Sequence, residues 1–402
     1  MQACEAGQAI RGAGAAALHE ALCSARRDTL ATFAAFERAL DGLAVPRHET
    51  LNPPLWELGH VGWFQEYWIG RNTQCHLGPR ADPDAPRSGA LRADADALYD
   101  SSRVAHASRW SLPLPDAAAT RNDLQEQLEA TLARLGTAEA DDAGLYFFRL
   151  ALLHEDMHHE AALYMAQHLG IAIDDARWQA AALPGHRTSL DLDGGRVQLG
   201  RTGSGFAFDN ELPAWTTSVA PVRIDAQPVR WSEYLPFVED GGYRRTDLWS
   251  AAGRDWLAAT APLAPRYLRR LDGHWQQWRH GAWGPLDPAL AACHLTYFEA
   301  QAWCRWAGRS LPTEAQWEHA ARRRPDDFLW GQVWEWTSSS FAPYPGFVAH
   351  PYRDYSAPWF GTRQVLRGAS FLTQPRLRSV CYRNFFAAHR NDIAAGFRSC
   401  AA

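Results

Sequence analysis

The run His154-Glu155-Asp156-Met157-His158-His159-Glu160 gathers imidazoles and carboxylates within seven consecutive positions. On a helix, His154 and His158 stand one turn apart on a single face, and imidazoles at that spacing can grip one metal ion. The reading without chemistry is a pair of histidines at the edge of a core. The same letters also spell H-E-x-x-H, in which Glu155 would be the general base of a zinc protease. That motif needs a third ligand downstream. Ala161 and Tyr164 stand where its extended form has Gly and His, and no Glu occurs between Glu160 and Glu211. A third imidazole lies upstream instead: His60, among Trp56, Trp63, Phe64 and Tyr67. Histidines from two helices of a bundle can converge on one inward site. Three neutral imidazoles on one side of an ion leave positions open for substrate and dioxygen. Asp156 and Glu160 are the carboxylates expected to orient an imidazole N–H.

These residues need helices to position them, and the first part of the chain supplies helical patterns. One covers roughly 14–43. A second starts at Asn52-Pro53-Pro54, where Asn52 is expected to cap and proline suits the first turn; it runs through His60 towards Trp68. A third covers roughly 118–136. The fourth runs from about Asp142 to His168 and stops at Gly170. Four long helices imply an antiparallel bundle, with an irregular link over 70–117. Beyond about 185 the texture changes to short β-like pieces, such as 195–199 and 222–224, between Gly, Pro, Asp and aromatic loops. Helices are expected at Tyr297 to Gly308 and after Pro312-Thr313-Glu314, with little else regular through 325–402. The run Val333-Trp334-Glu335-Trp336-Thr337 and the segment Gly396-Phe397-Arg398 read as packing and turn elements.

Length and composition narrow the functional classes. A chain of 402 residues suggests two domains. With 47% hydrophobic and 21% charged residues it can bury a sizeable core. No stretch has the apolar length of a membrane span, and the Ala-rich start, broken by Glu5, His19 and Glu20, is neither a secretory nor a transit signal. A net charge of -5 does not ask for nucleic acid. All 40 basic residues are Arg. Without Lys, Schiff-base, pyridoxal-phosphate and P-loop chemistries are excluded. The seven Cys are widely spaced, without C-x-x-C, which fits a reducing, cytoplasmic setting rather than a disulfide scaffold. The 19 Trp can build a core and also aromatic pockets for a cationic ligand.

The His60 run Trp56-Glu57-Leu58-Gly59-His60, with His154-x-x-x-His158-x-Glu160, resembles the DinB-like iron domain of the sulfoxide synthases of ergothioneine biosynthesis. Leu98-Tyr99-Asp100-Ser101-Ser102 followed by Arg109-Trp110 is similar to that family too. The second half resembles its formylglycine-generating-enzyme-like domain, a C-type-lectin-related fold. The matching pieces include Phe208-Asp209-Asn210-Glu211, Asp240-Gly241-Gly242-Tyr243, Arg309-Ser310-Leu311-Pro312-Thr313-Glu314, Leu366-Arg367-Gly368-Ala369-Ser370 and Tyr382-Arg383-Asn384-Phe385-Phe386. The resemblance implies an α+β protein of two domains: a DinB-like four-helix bundle over 1–175 and a loop-rich formylglycine-generating-enzyme-like domain over 185–402. It implies Fe(II) on His60, His154 and His158, with hercynine (trimethylhistidine), a chalcogen donor and O2 as substrates, and Asn384 contacting hercynine.

Two departures bear on the donor. Family members that use γ-glutamylcysteine carry Asn-Trp-Asp where this chain has Asn384-Phe385-Phe386, so Phe386 replaces a carboxylate. The Asn52–His60 run and Met157 also resemble the selenoneine synthase branch. The implied reaction is then C–Se bond formation with a selenosugar, and the alternative is the same chemistry with a thiol, giving a sulfoxide. Arg87 and Arg390 are candidate donor contacts. Tyr344, Tyr352 and Tyr355 are candidate acids for oxygen intermediates. Two rivals come from other classes. Copper-dependent formylglycine generation needs a close Cys pair, but Cys381 and Cys400 are 19 residues apart. A non-catalytic lectin-like module leaves the histidines unexplained.

Overall fold

The computed structural model describes residues 2–185 and 188–402. Its first part is helical: α1 (Gln2–Arg11), α2 (Ala15–Ala39), α3 (Pro54–Gln65), the short α4 (Ala95–Tyr99), α5 (Ala117–Leu135) and α6 (Tyr146–Leu169). Helix α2 buries Leu18, Leu22, Ala25, Thr29, Phe33 and Phe36, one stripe at helical spacing. Helix α6 is buried nearly all round, because other helices cover one side and the second domain covers another. The close approach of its neighbours needs small residues. A Cβ on Gly59 would lie 2.3 Å from the Tyr99 ring, and one on Gly62 would lie 2.0 Å from Gln127. These glycines flank His60 and let α4 and α5 close over α3.

Helix α6 ends at Gly170, whose φ of 72° is the left-handed stop that glycine tolerates best. Its start differs from expectation. Asp142 lies before the helix, where it accepts from Arg149 and from the Gly205 backbone N–H. The cap of α3 differs as well. Pro53 takes the N-cap position, while the Asn52 side chain donates to Glu57 and accepts from Arg109. The link over 70–117 is not wholly irregular, since it holds 3-10 turns at Cys75–Arg80 and His106–Ser111 besides α4.

The second part is mixed. In chain order it contains β1 (Ser189–Leu192), β2 (Gly195–Leu199), β3 (Trp215–Val219), β4 (Val222–Asp225), α7 (Trp231–Glu239), α8 (Ala251–Thr260), β5 (Leu268–Leu271), β6 (His274–Arg279), β7 (Ala282–Pro285), α9 (Tyr297–Trp306), β8 (Arg309–Ser310), α10 (Glu314–Arg323), β9 (Val333–Ser340), β10 (Gln364–Ala369), β11 (Asn384–Phe386), β12 (Ala395–Gly396) and β13 (Cys400–Ala401). Strand orders are β1-β4-β13-β8 and β11-β10-β9-β12, with a β2-β3 pair and a β5-β6-β7 meander. Among the described residues, no helix is long and apolar enough to cross a membrane.

The expectation of little regular structure through 325–402 is corrected by the sheet built on β9 and β10. Val333 to Thr337 is the buried half of a strand, not a turn, and Gly396 pairs with it in parallel register. A strand buried on both faces shows no alternation, and the charge of Glu335 interrupts its apolar run. That charge is matched inside the core by Arg398, at 2.5 and 2.7 Å, and by the Trp317 indole N–H. Helices α7 and α8 also lay outside the sequence expectation; Pro236 inside α7 disguises it.

Candidate metal centre at the domain seam

Helix α3 supplies His60, and α6 supplies His154 and His158. One ring nitrogen from each can be chosen so that all three lie within 4.8 Å of one another, close enough to share an ion. His60 and His154 are buried and His158 is half-buried. Each ring is aimed by its surroundings. His60 stacks on Trp56 at 4.7 Å, and its Nδ1–H donates to the Tyr99 carbonyl at 2.8 Å. The Nδ1–H of His158 donates to the Glu57 carboxylate. These bonds leave Nε2 of both rings as the free lone pair. His154 stacks on Phe64 at 3.5 Å, and neither of its nitrogens has a hydrogen-bond partner. An unpartnered imidazole buried beside two others is costly alone and suits a ligand set.

Electrostatics keep these rings ready to bind. Burial, reinforced by His158, pushes His60 down to about 3, and burial pushes His154 well below its ordinary value. Both are therefore neutral at pH 7. Burial would raise the Glu57 carboxyl, but His158 and Asn52 outweigh it and hold it at about 2. The orienting carboxylate is thus Glu57, three residues before His60, rather than Asp156 or Glu160. Asp156 instead takes Arg376 at 2.6 and 2.7 Å. Glu160 Oε1 accepts from Trp334 Nε1 (2.7 Å), Ser370 Oγ (2.6 Å) and Thr373 Oγ1 (3.0 Å). Glu155, the base of the protease reading, is tied to Arg26 at 2.9 and 3.2 Å.

His158 opens onto a cavity of about 320 Å3 between the two parts of the chain. Glu57, Met157, Glu160 and Tyr164 face it from the helices, and Trp334, Tyr382, Asn384, Phe386 and Arg390 from the second part. Its size suits a small molecule. Asn384 and Phe386 share a face of β11 because strand side chains alternate. Phe385 is consequently turned away and stacks on Phe341 at 4.1 Å, so it does not line this cavity. Arg390 pairs with Asp392 at 2.6 Å and lies over the Phe386 ring at 5.1 Å.

The expected tyrosines divide. Tyr352 meets Phe64 edge-on at 4.9 Å and His154 at 6.1 Å. Tyr355 donates to the Tyr382 hydroxyl at 3.2 Å, and Tyr382 donates to Met157 Sδ at 3.2 Å. Burial raises all three phenols, so they keep their protons at neutral pH. Tyr344 is not brought here. It packs with Val197, Leu199 and Val219, its ring against the Arg383 guanidinium at 4.0 Å. Arg87 does not line the cavity either; it stacks on Tyr67 and Trp68, one aromatic layer behind Tyr352. Sequence reasoning missed Tyr382, Trp334 and Tyr164. Glu57 stood inside the quoted His60 run and could have been read as a second carboxylate on the helix of a ligand.

Comparison with known proteins accounts for the two-part organisation of the chain. The DinB superfamily matches residues 21–172, and the Sulfatase-modifying factor enzyme 1-like domain matches 179–332 and 326–402. A hercynine oxygenase of Mycolicibacterium smegmatis is 31% identical over 407 residues, covering 87% of this chain and 90% of its own. The hercynine oxygenase of Mycobacterium tuberculosis is 31% identical with the same coverage. The chain belongs to the hercynine oxygenase family. The second half alone is similar to a formylglycine-generating enzyme of Streptomyces coelicolor, 27% identical over 53% of this chain and 89% of that one. The hercynine oxygenase family thus accounts for both parts, the helical half as well as the loop-rich half.

Glu160 ties the helices to the second domain, and its replacement separates hydrogen bonding from charge. Glu160→Gln keeps an oxygen acceptor and is expected to cost about 1 kcal/mol, whereas Glu160→Leu strands three buried donors and should cost roughly 3 kcal/mol or more. Chemical denaturation of the two variants measures the difference.

Proposed function

We propose that this protein oxidises hercynine, joining its imidazole C2 to the sulfur of a thiol donor and releasing a sulfoxide. The observation that carries this reading is the set of three inward imidazoles beside an aromatic cavity at the domain seam. A cavity of about 320 Å3 suits a molecule of the size of the hercynine named for the relatives. The stoichiometry is self-contained: a C2–H and an S–H bond are lost, a C–S and an S–O bond form, and the second oxygen of O2 leaves as water. No organic cofactor is required.

His60, His154 and His158 would hold Fe(II), and the unpartnered nitrogens of His154 fit that role. When bound, the iron supplies a redox centre at which dioxygen and donor can meet. The chain's own groups do the rest. Trp334, Tyr164 and Tyr382 offer ring faces, and Glu160 a carboxylate, to the trimethylammonium end. The Asn384 amide supplies a polar anchor for the betaine. Met157 and Phe386 exclude water. Tyr352 holds a proton beside His154, and Tyr355 lies next to Tyr352, its Oη linked to Tyr382 Oη.

A second reading concerns the donor. Phe386 stands on the cavity wall, and Arg390 beside it already has Asp392 as its partner. A donor ammonium would meet a ring there instead of a carboxylate, and burying unmatched charge costs several kcal/mol. A pyranose C–H face stacks well on such a ring. This favours an uncharged selenosugar, joined through selenium by the same four-electron chemistry. The family relationship through hercynine supports the thiol reading first.

Three measurements test these roles. His154→Ala should abolish stoichiometric iron in anaerobically loaded protein, and Glu57→Gln should weaken iron affinity about 10–100-fold; full occupancy in both would remove the histidines from the metal. Asn384→Ala should raise the hercynine KM about tenfold or more while iron content stays unchanged. Equal γ-glutamylcysteine and selenosugar, offered with hercynine and O2 and followed by mass spectrometry, decide the donor. Preferential consumption of the peptide supports the thiol reading, and preferential consumption of the selenosugar supports the second.

A further inference from the structure

The chain between β9 and β10, residues 341–363, holds only one 3-10 turn, Ala357–Trp359. Connections longer than about 12–15 residues without regular structure of their own are uncommon and usually functional. This one brings Tyr352 against Phe64 and His154, and Tyr355 against Tyr352 and Tyr382. Its ends are tied together: the Phe341 N–H donates to the Arg363 carbonyl, and the Gly361 N–H to the Phe341 carbonyl. The stretch that carries the two tyrosines lies far from those ties and needs an anchor of its own.

A buried carboxylate supplies it. Asp209 is 2% exposed and Ser356 is fully buried. Ser356 Oγ donates to Asp209 Oδ1 at 2.5 Å, and the His350 backbone N–H lies 3.5 Å from Oδ2. Both tyrosines lie in the chain between these two contacts. The neighbouring Phe208 ring stacks on Tyr355 at 4.7 Å. Arg353 also pairs with Asp84, but both are more than half exposed, and such a pair contributes little. Asp209 stands on a fixed base. Glu211 pairs with Arg11 at 2.5 and 2.9 Å, both fully buried, and accepts the Phe208 N–H at 2.9 Å. Among the described residues Asp209 makes no ion pair, and burial raises its carboxyl to about 6. The cost of burying a carboxylate without a cation is offset by the bonds it makes, and two of these go to the tyrosine segment.

We propose that Asp209 is a positioning residue for the oxidation of hercynine: it clamps residues 350–356 so that Tyr352 stands beside His154 and Tyr355 beside Tyr352. The inference rests on the oxidative reading of the histidine site. Asp209 neither belongs to the imidazole set nor lines the cavity, so it acts through the segment it holds. The segment is tied to α6 as well, since His350 Nδ1 lies 2.9 Å from the Tyr146 hydroxyl. Loss of the clamp therefore loosens the tyrosines without releasing the whole connection.

The test compares Asp209→Ala, Asp209→Asn and Ser356→Ala with the unaltered full-length protein by iron content, amide hydrogen exchange and hercynine turnover. The N–H groups of Tyr355 and Trp359 donate to the Tyr352 and Ser356 carbonyls. Their exchange should quicken about tenfold or more in both Ala variants. Asn keeps an acceptor for Ser356 and should restore most of the protection. In the Ala variants kcat should fall about tenfold while the hercynine KM changes less than about twofold and iron content is unchanged. Unchanged exchange in the Ala variants would overturn the proposal, and so would quickened exchange with kcat intact. If Asp209→Ala does not fold, Ser356→Ala, which removes one hydroxyl, carries the same expectations. Absence of turnover in the unaltered protein would instead overturn the reading of the site. Exchange tells the two failures apart, because it needs neither iron nor substrate.

Discussion

Helix α6 has to satisfy two sets of partners at once, and the arrangement of both domains follows from that. Its His154 and His158 turn towards α3, while Asp156 and Glu160 turn towards the second domain and are met there by Arg376, Trp334, Ser370 and Thr373. A buried carboxylate without partners is strongly destabilising. The second domain therefore docks in one register, the one that places its donors against these acids. That register brings β11 and Asn384 to the cavity beside His158. Glu160 thus links the positioning of the imidazoles to the positioning of the opposite wall.

Behind the imidazoles lies a second layer with the same logic. His60 is backed by Trp56, and Trp56 carries the Arg109 guanidinium at 3.8 Å on its ring. Arg109 also reaches Asn52, and Asn52 reaches Glu57, which holds His158. The two helices that supply the three imidazoles are therefore coupled through one chain of polar contacts. The link over 70–117, which carries Tyr99 and Arg109, is part of that framework. Its chain path follows the needs of His60 and Trp56 more than any helical periodicity.

How much of this was legible depends on the range of the contacts. The helical half could be read because periodicity, the stop at Gly170 and the His154–His158 spacing are local. The structure brings the three histidines together, and the signals for that are local: two share one turn and the third lies in an aromatic helix. Glu57 escaped although it stands three residues from His60, because its partner His158 lies on another helix; Asp156 and Glu160, next to His158 in sequence, take their hydrogen bonds from the second domain instead. The sheet around β9 escaped because a strand buried on both faces, with a paired Glu335 in its middle, has no period of two. Tyr382 and Trp334 escaped because they reach the site only through tertiary docking, 225 residues from Met157 for the one and 174 from Glu160 for the other. Phe385 and Phe386 were taken together, but a strand must send adjacent side chains to opposite faces.

The charge distribution around the histidine cavity carries the last step. Arg390 is paired with Asp392, and the Glu57 carboxylate accepts from the His158 ring N–H and the Asn52 amide. Glu160 has three donors, but all are uncharged side chains. Burial accordingly raises its pKa, and among the described residues it makes no ion pair. A carboxylate held this way, with three uncharged donors on Oε1, gains from a ligand that brings its own positive charge. A quaternary ammonium meets that description, and the faces of Trp334, Tyr164 and Tyr382 would cover its methyl groups. The same reasoning disfavours a primary ammonium at Phe386, where no acceptor replaces the water it would lose. On the proposed reading the two ends of the cavity differ in chemistry: a permanent cation lies at Glu160 and an uncharged or stacked surface at Phe386.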